Sequence, residues 1–418
     1  MSLVIYTYGF AIFLFVFWCG IWIMHVLAIS YGKWKFHKKV KKRPLEQPLP
    51  GVSILKPLLG VDPNLYSNLE TFFNQDYPSY ELLFCIEEDS DPAIMIVKNL
   101  IEKYPQIDAK LFIGGKNIGV NPKINNMCPG YDAAKYELLM ISDSGIRVKS
   151  DTLLDMVNHM KENVALVHQM PFTHDRDGFP AAVEKIYFGT FQARIYLTAD
   201  ILGITCHTGM SSLFRKKTLD EVGGLKTFGI YLAEDFFLCK SLTDRGWKST
   251  VSSQPALQNS GYCRIDSFQE RLTRWSKLRL AMVPTTIIFE PLSECIILGL
   301  LTSWSVQFLF DWDPIIFVLL HMLVWFLLDW LMLSIVQNGS LPFNKLEFLI
   351  GWIISEISGP AIILRALWDP VVRWRTRTFR LKWGGVAEEI KPKIKVLLKP
   401  ITFDVWASRK FQNIDIER

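Results

Sequence analysis

The 418-residue chain has no charged side chain between Met1 and Ser30, and that absence is the first constraint on what it can be. The stretch "LVIYTYGFAIFLFVFWCGIWIMHVLAI" is long enough to cross the hydrocarbon core of a bilayer as a helix. A cleaved signal peptide fits badly, because no basic segment precedes it and its apolar part is too long. Paired cysteine patterns are also missing. The seven cysteines (19, 85, 128, 206, 239, 263, 295) are odd in number, scattered and without C-x-x-C, which argues against a disulfide or metal framework and for reduced thiols in a cytosol-facing domain. No zinc-finger spacing or RNA-binding signature accompanies the formal net charge of +5, so nucleic acid is not an expected partner. The run "IGGKNIGVNPK" has glycines and lysines but lacks G-x-x-x-x-G-K-[ST], which removes an ATPase reading. Internal repeats and low-complexity segments are absent too.

What is there is grease with basic flanks. Half the residues (50%) are hydrophobic and the mean hydropathy is positive, too apolar for an ordinary soluble enzyme. After a membrane anchor at 1–32 comes "KWKFHKKVKKR", with Lys33, Lys35, Lys38, Lys39, Lys41, Lys42 and Arg43. Such a cluster marks the cytoplasmic end of a span, which puts the amino terminus in the lumen and the basic linker at 33–50 in the cytosol; it also suits anionic lipid. Beyond Pro284, "PLSECIILGLLTSWSVQFLF" (291–310) and "IIFVLLHMLVWFLLDWLMLSIV" (315–336) are separated only by "DWDP" and predict a transmembrane hairpin within 285–337. Glu294 and Asp329 are costly in lipid and are expected to face a partner helix or an acceptor path. The next apolar stretch, 348–368, is interrupted by Glu356, Gly359, Pro360 and Arg365. A full span there would export "RWRTRTFRLK", so residues 338–418 are expected to form a re-entrant or interfacial segment and a basic cytosolic tail.

Between these membrane parts, 51–284 reads as one α/β domain. Short β-rich runs, "VSILKPL" (52–58), "ELLFCIEE" (81–88), "AKLFIG" (109–114), "YELLMISD" (136–143) and "VALVHQM" (164–170), alternate with helical stretches and imply a mostly parallel sheet with flanking helices. Ligands bind outside the carboxyl ends of such strands. Two strands run out into acid there, "CIEEDSD" to Asp91 and "MISDSG" to Asp143, where a carboxylate can meet a ligand while the apolar strand behind holds it still. A third acidic site lies in "YLAEDFFLCKSLTDRGW", where Glu234 and Asp235 open a helical pattern; an acid there also suits the helix dipole. In "FQERLTRWSKLR", Arg271, Arg274 and Trp275 fall at i, i+3 and i+4, so two guanidinium groups and an indole share one helix face. Alone, such a face is solvated surface or a membrane-facing stripe.

Together, three spaced aspartates and R-x-x-R-W resemble the "D, D, D, (Q/R)-x-x-R-W" pattern of transferases with the glycosyltransferase A fold. The chain is more specifically similar to the ceramide glucosyltransferases, through "FIGGKNIGVNPKINNMCPGY", "ISDSGIR", "TGMSSLFRK", "AEDFFLCKSLTDRGW", "QNSGY", "RWSKLR", "LWDP" and "WRT". The resemblance implies a glycosyltransferase A domain at 51–284. It further implies transfer of glucose from UDP-glucose to ceramide, the first step of glucosphingolipid synthesis, at a Golgi membrane with the catalytic domain facing the cytosol. It places Asp91 near the nucleotide and Asp143 beside the metal and diphosphate. Asp235 becomes the general base, with Glu234 next in line, and Arg271, Arg274 and Trp275 hold diphosphate and acceptor. Lys123 is either directed at the UDP phosphates, as the resemblance implies, or solvated.

The chemistry supports those assignments. Displacing UDP leaves growing charge on a diphosphate, which needs cations, and the attacking hydroxyl needs a base. Carboxylate and phosphate oxygens suit Mg²⁺ or Mn²⁺. One base without a second carboxylate nucleophile implies a single displacement with inversion. Two departures from the family pattern stand out: "DSG" replaces D-x-D at Asp143, so a metal ligand must come from elsewhere, and Gln192 stands where these enzymes carry histidine. His207 and Cys206, in "CHTGMSS", read equally as acceptor-site lining or ordinary loop residues. Two other classes compete. A processive polysaccharide synthase needs a translocation channel, which three spans are too few to build, and a catalytically silent lipid-binding scaffold is expected to have lost one of the three aspartates.

Overall fold

The computed structural model of the protein describes residues 2–40, 49–374 and 377–390. Lys41, Lys42, Arg43, Arg375 and the tail beyond 390 lie outside the described residues.

The first helix, α1 (Ser2–Phe36), is apolar on all sides, as a helix surrounded by lipid and other membrane helices must be. It overruns the expected anchor into the basic cluster. The α/β domain follows in the order β1 (Val52–Leu58), α2 (Leu65–Phe73), β2 (Tyr80–Ile86), α3 (Ala93–Lys103), β3 (Asp108–Ile113), α4 (Pro122–Ala133) and β4 (Leu138–Ser142). It continues with β5 (Ile146–Arg147), α5 (Thr152–His159), β6 (Val164–His168), β7 (Pro171–Thr173), α6 (Phe179–Tyr187) and, after a π-helical turn at Phe188–Gln192, α7 (Ala193–Leu202). The domain closes with β8 (Ser211–Arg215), α8 (Lys216–Glu221), α9 (Glu234–Thr243), β9 (Lys248–Val251), β10 (Ala256–Gln258) and α10 (Ile265–Met282).

Seven strands form the main sheet in the order β3-β2-β1-β4-β8-β6-β9. All neighbours are parallel except β8, which runs antiparallel to both β4 and β6. β1, β2, β4 and β6 are almost wholly buried, which explains their unbroken apolar runs. The five expected strands are all present. What the apolar runs did not announce is β8, whose antiparallel course brings the loop before it, 203–210, back beside the exit of β4. Asp143 donates its backbone N–H to the Met210 carbonyl at 2.9 Å across that junction.

The membrane part departs from expectation in two places. α11 (Thr286–Leu292) and α12 (Cys295–Phe310) meet at 82°, so 291–310 is not one straight span; α12 pairs with α13 (Pro314–Gln337) as the second arm of the expected hairpin. By contrast α14 (Lys345–Trp368) is unbroken through Pro360, so it is not a re-entrant loop of two half-helices. α14 is long and apolar enough to span a bilayer by length and composition. Yet it contacts the catalytic domain: a Cβ on Gly351 would meet Ile186 of α6, Ser358 accepts from Gln269 of α10 at 3.1 Å, and Asp369, just past its end, pairs with Lys277 of α10 at 3.3 Å. From Gly351 to its carboxyl end the helix thus packs along the catalytic domain.

Over 371–374 and 377–389 the basic segment after α14 is not a tail. It folds into an antiparallel sheet, β11 (Val371–Trp374), β12 (Arg377–Leu381) and β13 (Ala387–Glu389), which docks on the α/β domain through a small apolar core of Leu232, Val372, Phe379 and Ala387.

Candidate active site

A cavity of about 1130 Å³ opens at the carboxyl ends of β1, β2 and β4. The sheet side supplies Glu87, Glu88, Lys123, Asp143, Glu234 and Asp235, and α10 supplies Arg271, Arg274 and Trp275. The membrane helices line it too, with Phe17, Ile21 and Met24 of α1 and Phe289 of α11. One cavity thus joins a charged pocket to an apolar wall.

Asp143 sits one residue past the end of β4, half-exposed into the cavity. Beneath it, the buried Lys56 on β1 donates to the Asp143 carbonyl at 2.6 Å and to Ser142 Oγ at 3.2 Å, with its ammonium 3.9 Å from the Phe72 ring centre. Burial pushes the Lys56 ammonium down to about 7, Asp143 opposing and Lys123 adding to the shift. The Asp143 carboxylate meets Lys123 Nζ at 2.8 Å, and the same ammonium reaches Glu234 Oε1 at 3.2 Å and the Gly209 carbonyl at 3.2 Å. Burial works against the Lys123 charge, but Asp143 and Glu234 outweigh it and hold its pKa above the usual lysine range. Lys123 is therefore at the centre of the site and not a solvated lysine. Its backbone is fixed by Asn121, which caps α4 by accepting from the Lys123 N–H at 2.8 Å while its amide donates to Glu234 Oε2 at 2.8 Å.

The two acids at the start of α9 divide their work. Glu234 is buried with both oxygens engaged by Lys123 and Asn121. Asp235 faces the cavity, held by backbone N–H groups: Gly209 donates to Oδ2 at 2.6 Å and Phe236 to Oδ1 at 2.8 Å. Burial raises the pKa of both carboxyls against the pull of Lys123. A carboxylate with an elevated pKa on the cavity surface is suited to accept a proton from a bound hydroxyl. His207 contacts the Asp235 carbonyl through Nδ1 at 3.0 Å and Ser212 Oγ through Nε2 at 2.6 Å, and burial pushes it down to about 4, so it holds the loop as a neutral ring. Cys206 lines the cavity as a thiol that burial pushes up to about 12.

On α10 the i, i+3, i+4 face is realised: Arg271, Arg274 and Trp275 all line the cavity. Arg271 lies 3.5 Å from Glu184, but its Nε and Nη2 are buried without a hydrogen bond, and burial lowers its pKa. Such donors suit an incoming anion. Gln192, at the end of the π-helical turn, also lines the cavity.

Asp91 is placed differently. It is buried outside the cavity lining, and both oxygens accept backbone N–H groups, from Gly60 at 2.7 Å and Ala93 at 2.8 Å. It therefore ties the start of α3 to the Leu59–Gly60 loop, while Glu87 and Glu88, the first residues after β2, are the acids that reach the cavity. The signal was the strand itself: β2 ends at Ile86, and Asp91 lies a full turn further on. As for a metal, no group of three His, Cys, Asp or Glu side chains able to hold an ion occurs among the described residues. Asp143 offers a half-exposed carboxylate beside Lys123 in the cavity, a hard-oxygen donor that would fit a cation completed by ligand oxygens rather than a protein cage.

A mostly parallel sheet with an acid at the exit of β4, a second at the start of α9, cationic residues between them and membrane helices at the cavity mouth defines a membrane-bound glycosyltransferase of the glycosyltransferase A type. The family model described as glycosyl transferase family 21 matches residues 20–387, and the chain belongs to that family, that of the ceramide glucosyltransferases. Ceramide glucosyltransferase 3 of Caenorhabditis elegans is 46% identical over 373 residues, 89% of this chain and 81% of that protein. Ceramide glucosyltransferase 1 of the same organism is 43% identical over 383 residues, 91% and 82% of the two chains. Among solved structures, a mannosyltransferase of Pyrobaculum calidifontis, in complex with GDP-Man and Mn²⁺, covers 87% of this chain and 99% of its own at a TM-score of 0.50 and 17% identity, a likeness of fold.

Proposed function

We propose that the protein transfers glucose from UDP-glucose to the primary hydroxyl of ceramide with inversion, giving glucosylceramide and UDP. The observation that supports this reading is the single cavity in which Lys123, Asp143 and Asp235 share space with Phe17, Ile21, Met24 and Phe289. A lipid with two apolar chains and a small polar head needs both surfaces at once.

Asp235 takes the proton of the ceramide hydroxyl, whose oxygen forms the bond to the anomeric carbon as the bond from that carbon to the UDP oxygen breaks. Arg271 and Arg274 bind the diphosphate, and Lys123 offsets the negative charge that grows on it as the bond to the anomeric carbon breaks. Mg²⁺ or Mn²⁺, when bound, neutralises the diphosphate; Asp143 would hold it. Asp91 acts at one remove, by fixing the Leu59–Gly60 loop of the donor pocket, and Trp275 forms the wall between donor and acceptor. Cytosolic UDP-glucose is met by a catalytic domain on the cytosolic face of a Golgi membrane, with α14 lying in the interface and the start of α1 across the bilayer. Incubation of the purified protein with ceramide, Mg²⁺ and a panel of UDP-sugars tests the reading. A β-linked glucosylceramide is expected; an α linkage by NMR, or preference for another sugar, contradicts it.

A further inference from the structure

The segment after α14 carries a motif, "WRT", that the reaction above leaves unused. Strand alternation puts Val372 and Trp374 of β11 on one face, and Arg377 and Phe379 of β12 on the same face, with Val372 opposite Phe379 and Trp374 opposite Arg377. The inner pair, Val372 and Phe379, is buried against Leu232, three residues before Asp235. The outer pair, Trp374 and Arg377, reaches over the cavity, and both line it.

Three further bonds fix the sheet to the walls of the site. Lys277 of α10 donates to the Val371 carbonyl at 2.8 Å, Gly384 donates to the Ala281 carbonyl of α10 at 3.1 Å, and Ala387 donates to the Ile230 carbonyl at 3.0 Å. The sheet is thus anchored on the helix that carries R-x-x-R-W and on the loop that leads into Glu234 and Asp235. Across the cavity, Arg377 faces Glu87 at the exit of β2 at 3.8 Å. The Arg274 guanidinium lies 5.9 Å from the Trp374 ring centre, within the range where a cation is held by a π face.

We propose that the carboxyl-terminal sheet is a working wall of the donor site, and that Trp374 is the positioning residue that holds Arg274 toward the donor diphosphate. Without the ring, Arg274 keeps its charge but loses a surface that helps to direct it, so donor binding weakens while the acceptor side is untouched. The proposal rests on the reading that the donor is a nucleoside diphosphate sugar.

The test compares UDP affinity, and KM for UDP-glucose and for ceramide, in the full-length parent, Trp374→Leu and Trp374→Phe, with melting temperature recorded for each. The expected result is a UDP Kd raised about tenfold in Trp374→Leu and about threefold in Trp374→Phe, since cation–π contacts are of that strength and phenylalanine offers a weaker face than tryptophan. KM for UDP-glucose should follow, and KM for ceramide should stay within about twofold of the parent. Should Trp374→Leu not fold, Trp374→Phe decides alone. Unchanged UDP affinity in folded variants, or equal shifts in both KM values, overturns the proposal; a parent that binds no UDP overturns the donor reading itself.

Discussion

The amide of Gly209 donates to the Asp235 carboxylate across 2.6 Å, and a Cβ built on Gly209 would lie 2.8 Å from the Asp235 Cβ. The loop before β8 and the first turn of α9 therefore approach closely only because position 209 has no side chain. Gly209→Ala should push Asp235 out of place and lower kcat by about 10- to 100-fold, because a misplacement of about 1 Å is costly in a positioned site. The check is kcat alongside a melting curve; full activity in the variant would show that this approach does not set the base.

Lys56 supplies a pH prediction for stability. Its folded pKa of about 7 lies below the ordinary lysine value of about 10.4, so across that window the unfolded chain holds a proton that the folded chain has released. Stability therefore rises with pH over the window, by up to about 1.4 kcal/mol per pH unit from this one group. The melting temperature of the parent in detergent should climb with pH more steeply than that of Lys56→Met. Parallel curves would remove Lys56 from the account.

Much of this site was legible in the sequence because its signals are local. An apolar run that ends in Asp143 marks a strand exit, and Arg271, Arg274 and Trp275 declare their shared face by spacing alone. Asp91 was misleading because the acids Glu87, Glu88, Asp89 and Asp91 follow one another, and which of them reaches the cavity depends on where β2 stops. The supports of the site were not legible, since Lys56, Asn121, Gly209 and His207 act on residues that are far away along the chain. Nor was the carboxyl-terminal sheet: its arginines carry the same composition as a solvated basic tail, and only the burial of Val372 and Phe379 against Leu232 separates the two.

Asp329 of α13 joins the membrane helices to the catalytic domain. It meets Arg194 of α7 at 3.2 Å, His25 of α1 at 3.3 Å and Trp352 of α14 at 2.9 Å. Asp329→Leu leaves the Arg194 charge buried without its partner and should cost about 3–5 kcal/mol, whereas Asp329→Leu combined with Arg194→Leu should recover most of it. Thermal unfolding of the two singles and the double tests this cycle. A double variant as unstable as the sum of the singles would show that the pair is not coupled.

The docking of β11, β12 and β13 on the catalytic domain fixes topology without reference to the orientation of the whole protein. In sealed vesicles, an external protease should either cleave both the catalytic domain and a carboxyl-terminal tag or spare both. Cleavage of one with protection of the other would place a true span at 345–368.

In the proposed mechanism Asp235 accepts the proton of the lipid hydroxyl, and Asp235→Asn isolates that role because the amide keeps the shape and removes the basicity. The measurement is single-turnover transfer to ceramide in that variant, with UDP binding determined on the same sample. Transfer is expected to slow by about 10² to 10⁴-fold while UDP affinity stays within about twofold of the parent. Transfer within about threefold of the parent at equal UDP affinity would contradict it and move the base elsewhere in the cavity.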